Sequence, residues 1–205
     1  MKRILTILLL VITVLINSTE AQAQFFKANV QLGANFSQID GDHIGGYNKV
    51  GLNGGIGIFH EIDDFKSYGF EIKYAQKGSR LVNDPDAAVQ PIFIIKSSYV
   101  EFPITFRYTF PSYDFLNVET GLSVGVNVGG TIDDGPRVTD ANFNTIEVAY
   151  LLGATYLFNE HLGFRVRHAY SVNRIGLNFP NSRRWFNRVG MFNRLFEVGL
   201  VYNLK

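Results

Sequence analysis

The stretch that most constrains this chain is Tyr99–Phe110, YVEFPITFRYTF, because its two alternate-residue faces differ completely. Val100, Phe102, Ile104, Phe106, Tyr108 and Phe110 form one face. Tyr99, Glu101, Pro103, Thr105, Arg107 and Thr109 form the other. Side chains alternate across a strand, so the segment predicts a strand with one greasy side and one charged side. A tilted strand of about 9–11 residues crosses a bilayer, and this one is long enough.

The same alternation recurs along the chain. Strands are expected at Phe25–Ser37, about Val50–Ile62, Tyr68 to about Leu81, Tyr99–Phe110, Leu116–Gly129, about Thr145–Phe158, roughly Leu162–Asn173 and from Phe196 to the end. The connections alternate long and short. Ile39–Lys49, Val82–Pro91, Asp133–Asn144 and Arg174–Gly190 are long, whereas Asp63–Ser67, Pro111–Asp114 and Asn159–His161 are tight. Ile92–Ile95 is apolar without alternation and fits neither class. Eight strands with short turns on one side and longer loops on the other is the pattern of an outer-membrane barrel. No linker divides the chain, so residues 24–205 read as one domain.

Lys2 and Arg3 precede an apolar run, Ile4–Ile16, followed by Ala21-Gln22-Ala23. That run is short of the ~20 residues of a helical span. The arrangement predicts a secretory signal peptide, residues 1–23, cut before Gln24, and export to the cell outer membrane. With 0 cysteines there is neither a disulfide framework nor a thiolate metal site. A formal charge of +1 gives no electrostatic case for nucleic acid.

Alternation alone does not say which face is outside, since a soluble barrel would bury the apolar one. Three features favour lipid on the apolar side. Aromatic residues recur toward strand ends (Phe26, Phe36, Tyr68, Tyr108, Phe110, Tyr156, Tyr170, Tyr202), as in an interfacial girdle. The other face is rich in Gly, Ala and Ser, which suits a crowded lumen. The strands also exceed the usual 5–6 residues of soluble sheets. Glu71, Lys73, Glu101, Arg107, Glu119, Arg165, Arg167 and Glu197 then point inward, as do Lys27, Glu61, Lys77 and Glu147. Eight strands leave room only for side chains, and buried charges need partners. An interior ion-pair network that closes the lumen is expected. A charged solute path is the competing reading.

The segments GANFSQIDGD, GYNKVGLNGGIGI, EIKYAQKGS and YVEFPITFRY resemble the outer-membrane β-barrel family of Bacteroidota, the porin-like group that includes PorT-type proteins. Its most specific features here are Tyr74-x-x-Lys77-Gly78 and Tyr99-x-Glu101-x-Pro103. The resemblance implies an eight-stranded antiparallel transmembrane β-barrel of the OmpX type with a closed polar interior. It also implies, for PorT-type members, an association with secretion across the outer membrane.

Catalytic patterns are weak. Barrel lipid A deacylases carry His and Ser two residues apart on one face, whereas His168 and Ser171 are three apart and face opposite sides. No histidine pair has metal-ligand spacing, and no Gly-rich phosphate motif precedes a helix. No enzyme activity, cofactor or metal is expected. The last long loop carries Arg183, Arg184, Trp185 and Arg188, suited to an anionic surface partner or to lipopolysaccharide phosphates. Expected partners are therefore outer-membrane lipid and an envelope or secretion-machinery protein. The expected role is a non-enzymatic barrel presenting surface loops or scaffolding the envelope, with a secretion accessory or a narrow channel as alternatives.

Overall fold

The computed structural model describes residues 26–83, 86, 91–176 and 190–204. Residues 1–23, read as a leader, and the loop residues Arg183, Arg184, Trp185 and Arg188 lie outside them. The described residues form nine strands. They are β1 (Phe26–Asp40), β2 (Lys49–Asp63), β3 (Lys66–Arg80), β4 (Ile94–Phe110), β5 (Tyr113–Asp133), β6 (Val138–Asp140), β7 (Ile146–Leu157), β8 (Leu162–Ser171) and β9 (Phe192–Asn203). All except β6 belong to a closed antiparallel barrel. Sequence neighbours pair in turn, and β9 returns to β1 through a register that runs from Asn29↔Asn203 to Asp40↔Phe192. Closure leaves no unpaired edge, which is what a sheet needs in hydrocarbon.

Six of the eight barrel strands are longer than alternation alone suggested, while β7 and β8 are shorter by two residues each. β5 reaches Asp133, and β6, within the expected loop 133–144, folds back on its end. β4 begins at Ile94, inside the stretch that could not be placed from sequence. The reason is visible in its side chains. Ile95 is fully buried inside the barrel, so apolar residues stand on both faces there and alternation is lost.

Outward positions are apolar and exposed: Leu32 at 70%, Ile104 at 63% and Leu122 at 57%. The inward residues between them are buried and polar, among them Asn35, Glu71, Lys73, Glu101, Thr105 and Arg167. A water-soluble fold would have this the other way round. Lipid on the outside reconciles it, with aromatic pairs near the turn end: Phe26–His60, Tyr113–Phe115 and Phe115–Tyr156. The tight turns, with both strand termini, define one end, and the longer loops define the other. By the usual orientation of such barrels the turn end is periplasmic and the loop end faces outward.

Gly78 illustrates how closely the wall is built. Its φ is +147°, and a Cβ there would run into the carbonyl of Ile95 on β4. Strain of this kind costs roughly 1–3 kcal/mol. Gly78→Val should therefore lower the temperature at which the folded band converts to the unfolded band on a semi-native gel. An unchanged transition would show that the β3–β4 wall tolerates a side chain at this point.

Candidate functional site: the charged lumen and its two mouths

β3 supplies three inward charges in succession, Glu71, Lys73 and Lys77, and the lumen is organised around them. Some partners lie beside them in register. Lys73 opposes Glu101 across β3–β4, Arg107 opposes Glu119 across β4–β5, and Arg167 opposes Glu197 across β8–β9. Others reach across the barrel from β3 to β7, β8 and β9.

Nearest the periplasmic end is an arginine layer. Glu71 takes Arg165 Nη1 at 2.9 Å, Arg167 Nη2 at 2.9 Å and Arg107 Nη2 at 3.1 Å. Glu119 takes Arg167 Nη2 at 2.7 Å and Arg107 Nε at 3.0 Å. Gln31 stitches the layer to β1: it donates to Glu71 at 3.0 Å and accepts from Arg165 at 2.6 Å. Three guanidinium groups share two carboxylates, and only the forked geometry of arginine allows so many simultaneous contacts.

Above it is a lysine layer with the opposite imbalance. Lys73 bonds Glu197 and lies 3.1 Å from Glu101. Lys77 lies 2.5 Å from Glu101 and 3.0 Å from Glu147, and stands over the Tyr99 ring at 4.8 Å. Glu147 also accepts hydrogen bonds from Ser171 and, at 3.0 Å, from Asn193. Two ammonium groups here meet three carboxylates. Arg167, 3.8 Å from Glu197, joins the two layers. The five cations and five anions of this buried set therefore balance as a whole, while neither layer balances alone.

The two mouths differ. The outer one is capped by Ile39, Ile95, Ile175 and Met191, with Phe93, Ile132 and Phe143 packed against them. The periplasmic one opens into a cavity of about 490 Å³ whose floor is Arg107 and Arg165. Lys27 and Glu61, expected inside the network, form a 2.5 Å pair at this mouth with side chains half exposed. They sit below the enclosed zone, where water screens them. In the outer loop after β1, burial pushes the Asp42 carboxyl above its ordinary value, and the like charge of Asp40 adds to it.

The eight inward residues singled out from sequence all lie in the two layers. Lys77 and Glu147 join them. Sequence reasoning missed Gln31, Ser171 and Asn193 as partners of the charges, and it missed the apolar cap. Signals existed for both. Gln31 has inward parity on its strand, and Ile39 and Ile95 are apolar residues on the polar-facing parity. For chemistry, Ser171 is buried against Glu147, whereas His168 packs outside against Tyr150 and Phe196. Among the described residues, no group of three His, Cys, Asp or Glu is placed to hold a metal ion.

A closed antiparallel barrel with lipid-facing apolar residues and a charged, filled lumen is an integral outer-membrane protein. Residues 7–203 match the model of the outer membrane protein β-barrel domain, and the chain belongs to that family. Neisserial surface protein A is similar in structure, at TM-score 0.55 and 15% identity over 85% of this chain and 96% of its own. Ail, the attachment invasion locus protein of Yersinia pestis, aligns at TM-score 0.47 and 11% identity over 87% of this chain and 98% of its own. No curated protein matches the sequence.

The lumen makes a strong energetic prediction. Removing one partner of a buried ion pair strands the other charge, at a cost of roughly 3–5 kcal/mol. Arg167→Leu should destabilise the folded barrel by about that amount in urea titration. Lys27→Leu, at the wetted mouth, should change it by about 1 kcal/mol or less. Equal effects of the two would remove the distinction between network and rim.

Proposed function

We propose that this protein is a rigid, non-enzymatic platform in the outer membrane, of the Bacteroidota porin-like group that includes PorT-type proteins. On this reading it is exported through a cleaved leader at residues 1–23, and it presents its outer loops for binding or for envelope scaffolding. The observation that carries the reading is the lumen. Two ion-paired layers and an apolar cap fill it, which leaves the loops as the surface free to meet a partner. Loops on a rigid scaffold are the usual seat of recognition. The motif residues bear on this too. Lys77, Tyr99 and Glu101 meet in the lysine layer, and Gly78 lies against β4, so these residues support the barrel wall and its filling rather than an exposed reactive site.

A second reading, an accessory part of a secretion machine, rests on the resemblance to PorT-type proteins. A deletion strain separates the two. Complementation with wild type, and with a variant whose outer loops are replaced by short Gly-Ser turns, should restore detergent resistance of the envelope only in the first case. If the loop-less variant restores it equally, the platform reading fails. If the envelope is unaffected but exported protein accumulates inside the cell, the secretion role replaces it.

A further inference from the structure

Three cations that make no ion pair among the described residues stand on the barrel's outer rim, on the side formed by β2 to β5. Lys96 and Arg80 are exposed and on the lipid-facing parity of β4 and β3. Lys49 begins β2, where it donates to the carbonyl of Val50 at 2.6 Å. Its neighbours Lys96 and Arg80 are close enough to act on its charge. Among the described residues none of the three has a carboxylate within ion-pair distance, in contrast to the five buried cations. Two acids share this face beyond ion-pair distance: Asp133, across from Ile94, and Asp140, across from Thr131 and one strand further from Lys96.

Lys49 and Lys96 border a groove of about 250 Å³, which Lys77 also lines from the lumen side and whose remaining lining is hydroxyl, amide and backbone groups. Gln76, Ser98 and Thr131 provide them. Arg80 lies beside the groove, across from Ile94 on β4. Tyr74 donates to Ser98 at 2.9 Å and receives Gln76 Nε2 at 3.3 Å, so the polar surface is ordered. Further down the same strands, beyond the row Tyr74, Val100 and Val126, lie the exposed apolar residues Ile72 and Val124, and one row lower Ile104. The groove therefore sits where hydrocarbon gives way to headgroups on the loop side. A cationic pocket at that level, with apolar wall beneath it, suits a ligand with a phosphate head and acyl tails.

We propose that this rim groove binds the phosphate of an outer-leaflet glycolipid, with Lys96, Arg80 and Lys49 on the phosphate oxygens and the acyl chains lying along Ile72, Ile104 and Val124. The site is distinct from the loop platform and does not depend on it. Charge-assisted hydrogen bonds supply the affinity, and the apolar wall supplies the preference for a lipid over a free ion.

The test uses the folded full-length barrel in detergent, titrated with lipid A bearing its phosphates and followed by native mass spectrometry. Wild type should bind it about tenfold or more tightly than enzymatically dephosphorylated lipid A, and inorganic phosphate in large excess should displace it poorly. The double variant Lys96→Gln/Arg80→Gln should lose that preference. Lys66→Gln at the periplasmic end should keep it. Equal binding of phosphorylated and dephosphorylated lipid by wild type would overturn the proposal without recourse to any variant. So would displacement by inorganic phosphate at concentrations comparable to the lipid, or a double variant that binds like wild type.

Discussion

The bonds from Glu71 on β3 to Arg165 and Arg167 on β8 are the interaction on which the rest depends. They span the lumen between opposite walls of the barrel. A carboxylate at that depth is very costly alone, and its attraction to the arginines offsets the loss of hydration only with good geometry and full coordination. Each neighbouring charge follows from that demand. Surplus positive charge in the arginine layer is met by surplus carboxylate in the lysine layer, and Arg167 near Glu197 connects them. The lumen is thus a single electrostatic unit rather than a set of separate pairs.

This constraint also explains the shape. Eight strands enclose a space that side chains can fill, and long charged side chains fill it while meeting one another. The small inward residues, such as Gly55 and Gly57 on β2, leave room for this. A Cβ at Gly55 would meet the Lys73 side chain, and one at Gly57 would meet Asn29 and Glu71. Glycine on the inner face of β2 and bulky charge on the inner face of β3 are two halves of one packing solution. The apolar cap then finishes the outer mouth where charges are no longer available.

Much of this was legible in the sequence. Period-two alternation gives the strands, and the alternation of loop lengths gives the barrel and its orientation. Parity alone puts Glu71, Lys73, Glu101, Arg107, Glu119, Arg165, Arg167 and Glu197 on one surface. What parity does not give is who pairs with whom across the lumen. The reach from Lys77 to Glu147 depends on strand order and stagger after closure, and no local pattern carries it. Strand ends were also hidden, because Ile39 and Ile95 turn inward to the cap and break the alternation that marks a strand. Lys27 and Glu61 share inward parity with the network yet lie at its wet edge, since parity records a face and not a depth.

The central claim is that the lumen is filled and closed. Single-molecule recording of the folded protein in a planar lipid bilayer tests it most directly. A barrel sealed by two ion-paired layers and an apolar cap should give no conductance steps across the usual range of applied voltage. Reproducible, voltage-independent steps from protein shown to be folded on a semi-native gel would contradict the account, because they would require a continuous aqueous path past Glu71 and its arginines.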